Sequence, residues 1–314
     1  MSSPRILVLG GTGMLGSAIC RALKEHVHNA KIVPAGTDLV DLTDHLDTRV
    51  LYAEVRPTAI FNCAGLVGGI QTNMDNQAEF LTKNAAIAAN AIEAAASFNV
   101  RHYFYMSSSC VYPRGYVERM PTSLIGTGEL EPTNEGYALA KLMGTKLTMF
   151  MNSKDRDYRT FVPCNLYGPG DKFNARAHVM GALIRKVSEA ARDGSPTFEV
   201  WGSGEARREL MHVDAAADAI VYLSMQTDTP QTINIGLPGD TDISIRQLAW
   251  FVSQAAYNVL GAQVTPVFDP SKPEGVFRKK LDTSYLYSTP YRNSTSVLDG
   301  IHEMMENYRA RTDP

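Results

Sequence analysis

The sequence predicts an α/β chain: a doubly wound parallel sheet with a smaller C-terminal α/β lobe for substrate. Three observations predict it. Short apolar runs alternate with helical segments between residues 6 and 235, which is how parallel strands joined by crossover helices read. A glycine-rich turn, Gly10-Gly11-Thr12-Gly13-Met14-Leu15-Gly16, closes the first run and opens the first helix. Small and polar residues gather at the carboxyl ends of the runs, where sheets of this kind bind ligands.

Ile6–Leu9 reads as a buried strand and Met14–Lys24 as the helix after it. Lys31–Pro34 is the second strand, and Ala59–Asn62, Tyr103–Met106 and Thr160–Pro163 are three more. Their ends carry Gly10–Gly16, Asn62-Cys63-Ala64-Gly65, Ser107–Cys110 and Cys164-Asn165-Leu166-Tyr167-Gly168-Pro169. The segment Asn84–Phe98 is alanine-rich nearly all round, and the helix around Tyr137 carries Leu142, Met143, Leu147, Met149 and Phe150. A helix apolar on more than one stripe needs a second surface, so a homodimer through the helices near 84–98 and 135–152 is expected. After Pro169 come a helix at Ala177–Arg192, a strand at Thr197–Trp201, a helix from His212 to Met225 and a strand at Thr232–Ile235 that returns to the sheet. Residues 1–168 with about 212–235 therefore form the dinucleotide-binding part, and 169–211 with 236–314 the substrate lobe.

Composition excludes several classes. The 314 residues carry 30 basic against 33 acidic side chains, so neither nucleic acid nor a membrane surface is expected as partner. No run approaches the ~18 apolar residues of a membrane span. Cysteines 20, 63, 110 and 164 are widely spaced, which suits neither a disulfide framework nor a metal site. A soluble cytoplasmic protein without metal is expected.

The spacing Gly10, Gly13, Gly16 permits a tight turn and close backbone approach to a pyrophosphate at a helix N-terminus, the dinucleotide fingerprint of Rossmann folds. The second strand runs into Pro34-Ala35-Gly36-Thr37-Asp38, with small residues where an acid usually meets the ribose, so NADH and NADPH both stay open. Asp41-Leu42 is expected beside the adenine; otherwise Asp41 is a solvated helix cap. Tyr137-Ala-Leu-Ala-Lys141 sets a phenol and an ammonium four residues apart on one helix face, after the run Ser107-Ser108-Ser109. A nearby cation lowers a phenol's pKa, and a tyrosine so tuned exchanges a proton with a carbonyl while a nicotinamide exchanges the hydride. Cys110 is either a thiolate base at the mouth of the site or a small buried apolar side chain. His178 is either an acid partner or structural. Arg207 and Arg208 suit a diphosphate, or are a solvated pair.

The residues then match a known family. The chain resembles the GDP-L-fucose synthases, epimerase/reductases of the extended short-chain dehydrogenase/reductase superfamily, nearly end to end. The resemblance lies in Val67-Gly68-Gly69-Ile70, Ser108-Ser109-Cys110-Val111-Tyr112-Pro113, Leu130–Glu135, Tyr137–Lys141, Val200–Gly204, Arg208–Asp214 and Phe268–Gly275. It implies a reduction triad of Ser108, Tyr137 and Lys141, with Cys110 and His178 as base and acid of epimerisation. It implies cofactor contacts from Gly10–Gly16, Asp41, Leu42, Ala64, Gly65, Met106, Ser107, Tyr137, Lys141, Pro163, Asn165, Leu166 and His178. Substrate contacts are implied at Val67, Gly68, Ser108, Ser109, Cys110, Asn165 and Val179, with Lys186, Trp201, Arg208, Lys272, Glu274 and Lys279 around the GDP-sugar.

The implied reaction is 3,5-epimerisation and 4-reduction of GDP-4-keto-6-deoxy-D-mannose with NADPH, giving GDP-L-fucose. Thr12 and Thr37 stand where relatives carry arginines near the cofactor's 2′-phosphate; Lys186 replaces an arginine and Glu274 an aspartate, so a different sugar is an alternative. The runner-up is a related GDP-sugar 4-ketoreductase acting on a dideoxy sugar or heptose. A non-catalytic dinucleotide sensor is disfavoured, because a sensor needs none of Ser108, Tyr137 and Lys141.

Overall fold

The computed structural model describes residues 3–174, 177–292 and 295–312. The first half interleaves β1 (Arg5–Leu9), α1 (Met14–His26), β2 (Lys31–Ala35), α2 (His45–Val55), β3 (Ala59–Asn62), α3 (Ile70–Asp75), α4 (Gln77–Ser97), β4 (His102–Met106), α5 (Glu135–Met151) and β5 (Asp157–Pro163). The second half runs β6 (Asn165–Tyr167), α6 (Val179–Arg192), β7 (Thr197–Trp201), β8 (Arg207–Arg208), β9 (Leu210–His212), α7 (Val213–Ser224) and β10 (Thr232–Ile235). It ends with β11 (Ile243–Ser244), α8 (Ile245–Leu260), β12 (Thr265–Asp269), β13 (Arg278–Lys279), α9 (Ser284–Ser288) and α10 (Val297–Thr312).

Six strands form one parallel sheet in the order β10-β5-β4-β3-β1-β2. Its central strands are buried on both faces, which is why they read as unbroken apolar runs rather than alternating ones. Two apolar clusters cover the faces: α1 and α7 contribute to one, α2 and α4 to the other. A third cluster lies apart from the sheet, where α6, α8 and α10 bury Ile184, Val187, Leu248, Val252, Ile301 and Met305. α8 starts at a reciprocal cap, Ser244 accepting from the Gln247 amide while Gln247 accepts from the Ser244 amide.

Several expected boundaries move. The alanine-rich helix expected from Asn84 begins at Gln77, the strand expected from Thr160 begins at Asp157, and the helix expected from His212 to Met225 spans Val213–Ser224. The helix expected from Ala177 starts at Val179, because His178 is an extended N-cap with φ −71° and ψ 172°. The first helix runs on to His26, where Val27 closes it on the Leu23 carbonyl. No helix among the described residues is long and apolar enough to cross a membrane.

Candidate active site

The turn after β1 is shaped by glycine. Gly10 has φ +69°, and a Cβ on Gly16 would lie 2.1 Å from the Gly10 carbonyl oxygen, so only glycine lets the turn close on the helix. Gly13 caps α1 without a side-chain hydrogen bond, leaving the first-turn amides and the positive end of the helix uncovered. Thr12 and Gly13 are exposed there. This cradle fits the pyrophosphate of a dinucleotide.

Beyond β2, Asp38 turns back towards the small residues that end the strand. A Cβ on Gly36 would find Thr12 Oγ1 at 2.4 Å and Asp38 Oδ1 at 2.6 Å, so the Asp38 carboxylate folds back over Gly36. Asp41 is solvated and binds the Thr43 amide (2.9 Å) and hydroxyl (2.6 Å), bonds that hold its carboxyl below the usual range. Leu42 is buried beneath it, and Asn90 donates to its carbonyl.

After β3, the buried Asn84 of α4 clamps the Ala64–Leu66 loop, accepting from the Leu66 amide (2.8 Å) and donating to the Leu66 carbonyl (3.1 Å). A Cβ on Gly65 would come within 3.4 Å of the Lys141 ammonium. Lys141 is 4 % exposed and donates to the Met106 carbonyl at 2.9 Å, above the Tyr105 ring. Burial lowers its pKa to about 8. Ser107, also buried, is held by Thr145 at 2.8 Å. Pro163 ends β5, and Asn165 and Leu166 follow in β6, paired with Leu210 and Met211.

Tyr137 departs from expectation. Its ring lies 5.9 Å from the Lys141 ammonium and edge-on to Phe80, which itself lies against Gly68. Yet burial pushes the phenol up, the neighbouring Cys110 adds to this, and a hydrogen bond with Ser108 only partly offsets it. Burial and Cys110 set the direction, and the ammonium 5.9 Å from the ring does not reverse it.

Cys110 lies in a short helical turn, Ser109–Val111, whose first amides are capped by Ser108; the Cys110 amide donates to Ser108 Oγ at 3.2 Å. Asn134 Nδ2 is 3.0 Å and Lys279 Nζ 3.4 Å from Cys110 Sγ. Burial raises the thiol's pKa, but Lys279 with the hydrogen bonds from Ser108, Lys279 and Asn134 outweighs it, and the net direction is down. Lys279 arrives on β13, paired in register with Arg208 of β8. Behind this pair the next residues form a buried ion pair: Lys280 donates to Glu209 Oε1 at 3.0 Å, both side chains 1 % exposed. Glu209 also accepts from the Leu281 and Leu237 amides.

Arg207 and Arg208 diverge. Arg207 is tied to the buried Asp242 together with Arg278 and is structural. Arg208 has no ion pair among the described residues and donates only to the Arg207 and Val276 carbonyls at 2.7 Å. Glu199 gathers Trp201 Nε1 (2.8 Å) and the Lys186 ammonium (3.5 Å), which lies over the Trp201 ring. Glu274 accepts from Ser203 beside Gly202, while Lys272 is solvated. His178 stands at the head of α6 just before Val179; burial and Lys172 lower its pKa. Val67 begins the turn at whose Gly69 an added Cβ would lie 2.7 Å from the Ala177 carbonyl oxygen, so that turn runs close to the residue before His178. Among the described residues no hydrogen bond joins His178 to Cys110.

The glycine cradle, the Tyr137–Lys141 helix and the strand ends coincide with a known pattern: residues 6–236 match the NAD dependent epimerase/dehydratase family. The chain belongs to that family. Within it, the chain is 36 % identical to a GDP-L-colitose synthase from Yersinia pseudotuberculosis over 308 residues, 97 % of each chain. It is also 36 % identical to the GDP-L-fucose synthase of Escherichia coli over 310 residues, 96 % of this chain and 95 % of that one. The fold matches a GDP-L-fucose synthetase structure from Naegleria fowleri bound to NADP with TM-score 0.88, 25 % identity, and 99 % and 96 % coverage. Within this epimerase family chain, Asn84 and Glu199 carry site geometry that motif reading passes over, and Asn134 lies inside the Leu130–Glu135 segment without a role of its own assigned to it.

Proposed function

We propose that the chain converts GDP-4-keto-6-deoxy-D-mannose to GDP-L-fucose by 3,5-epimerisation and NADPH-dependent 4-reduction. The observation that carries this is the join at Ser108: one hydroxyl interacts with both Tyr137, a proton donor for a ketone, and the turn holding the Cys110 thiol. Relatives named for GDP-L-fucose and GDP-L-colitose synthesis support the substrate class.

The Gly10–Gly16 turn, Gly65 and Lys141 would hold the cofactor, with Asp38 and Thr12 at its adenosine ribose. When bound, NADPH supplies the hydride. Tyr137 gives its proton to the C4 oxygen; a phenol kept protonated by burial starts in the form that reduction requires. The Lys141 ammonium then faces the phenolate that remains. Before reduction, the C4 ketone acidifies the C3 and C5 protons; at each centre in turn Cys110 removes the proton as thiolate and His178 returns one on the opposite face. Between the two rounds the thiol gives its proton to water and the imidazole takes one from it. A lowered pKa suits a group that must release its proton.

Residues 1–168 with about 212–235 serve the cofactor and the rest the GDP-sugar, supported by the separate apolar cluster of α6, α8 and α10. A homodimer through α4 and α5 is supported by Leu139 (40 % exposed) and Phe150 (80 % exposed) on α5. Four free cysteines suit the cytoplasm.

The test is turnover of GDP-4-keto-6-deoxy-D-mannose with NADPH in deuterated water. An L-fuco product with deuterium at C3 and C5 is expected, and Cys110→Ser should lose that label while slow reduction persists. Product without label refutes the epimerase. Equal identity to the colitose and fucose synthases favours a second reading, a 4-ketoreductase of a related GDP-sugar, which the same spectra report as one labelled centre or none.

A further inference from the structure

Asn134 immediately precedes α5, the position whose side chain ordinarily accepts a first-turn amide. It makes no such bond. Instead its Nδ2 points at Cys110 Sγ, 3.0 Å away, and its Oδ1 is buried without a partner among the described residues. A helix cap has been given up, and a carbonyl oxygen stranded, for one contact with a sulfur. Lys279 reaches the same sulfur from the other lobe at 3.4 Å, although the family resemblance implies a contact of that lysine with the sugar nucleotide.

We infer that Asn134 and Lys279 are positioning residues that cradle the Cys110 sulfur between an amide and an ammonium, so that Lys279 is the sulfur's counter-ion. This rests on the reading of Cys110 as the base. A neutral thiol is a weak acceptor, and two donors on one sulfur suit the thiolate. The thiol's depressed pKa agrees. Among the described residues, the other ionisable groups around the sulfur are Tyr137 and Arg208, with Tyr112, Arg114, Glu131 and Arg278 in the lining of the adjoining cavity. Of these Glu131 is the one carboxylate, and it is bound to the Thr133 amide and hydroxyl. The chain thus supplies the base from its first half and the charge that sustains it from its last.

Alkylation of Cys110 by iodoacetamide, followed against pH by peptide mass spectrometry, reads the thiolate directly and needs no substrate. Asn134→Asp keeps size and capping ability but turns a donor into a carboxylate. It should move the alkylation profile to higher pH and slow modification at neutral pH about tenfold, the change in thiolate fraction for one unit. Asn134→Ser, also a good cap, should shift it less. Lys279→Gln should shift it as Asn134→Asp does, and Lys279→Arg should restore it in part. Far-ultraviolet circular dichroism and thermal melting check that each variant folds. Profiles that stay in place in folded Asn134→Asp and Lys279→Gln overturn the cradle, even with deuterium at C3 and C5 of the wild-type product. Shifted profiles with no deuterium in that product leave the cradle standing and refute only the base assignment.

Discussion

The two walls of the cleft are made of different materials. The cofactor wall is backbone: Gly10, Gly13 and Gly16 sit within one turn, and its shape follows from the absence of side chains. The sulfur wall is side chain: Ser108 and Cys110 after β4, Asn134 before α5 and Lys279 on β13, brought together from far apart in sequence. The first wall tolerates no added atom at Gly10 or Gly16, whereas the second depends on which atoms are present. Damage to the first should therefore appear as lost binding, and damage to the second as lost chemistry.

The largest expected effect is chemical. Tyr137→Phe removes the proton donor and should slow reduction about 10²- to 10⁴-fold, as loss of a general acid does. NADPH binding, followed by fluorescence titration, should be nearly unchanged, and more than a tenth of wild-type turnover would contradict the role. Gly16→Ala tests the other wall. Its Cβ would meet the Gly10 carbonyl oxygen at 2.1 Å, so overpacking should cost about 1–3 kcal/mol in stability. Addition of NADPH should raise its melting temperature much less than it raises the wild type's.

A third prediction concerns pH. Lys141 is ammonium below its pKa of about 8 and loses its charge above it, so kcat/KM for reduction should fall as pH rises through 8. Lys141→Arg, always charged, should remove that fall at a lower plateau. Stability runs the other way. Between about pH 8 and the ordinary lysine range the unfolded chain holds a proton that the folded one does not, so stability rises with pH there. The smallest effect lies at the ribose. NADPH should be preferred over NADH by a narrow margin, because Asp38 lies by Gly36 and Thr12 and opposes a 2′-phosphate. Asp38→Ala should widen that margin several-fold in kcat/KM, and an unchanged ratio would place Asp38 outside the ribose site.

What could be read in the sequence divides along the same line. The cofactor wall and the parallel strands are local: a glycine spacing, an apolar run and a helix start each fit within a few residues. The helices α8 and α10 were legible too, the first by Ser244 and Gln247 at capping distance, the second by buried Ile301, Met304, Met305 and Tyr308 at helical spacing. They went unassigned because the lobe they build lacks the strand–helix alternation. The pairing of Lys279 with Cys110, the loss of Arg207 to Asp242 and the return of Asp38 over Gly36 depend on distant or turned-back chain. Tyr137 misled for a related reason. Spacing places a lysine beside it, but burial of the phenol and its neighbour Cys110 outweigh that lysine.

The Lys280–Glu209 pair has a mechanical consequence. Lys279 and Arg208 face each other across two strands, and the residues directly after them are locked by opposite charges with almost no access to water. Separating those strands while both charges stay buried would strand an ion at a cost of several kcal/mol. Small independent excursions of Lys279 or Arg208 are thereby suppressed, and the two cations reach the cleft as a single rigid tooth. That edge of the cleft opens only when the strands part altogether, so its amide protons should exchange with solvent together, at the slow rate of the sheet rather than that of a loop.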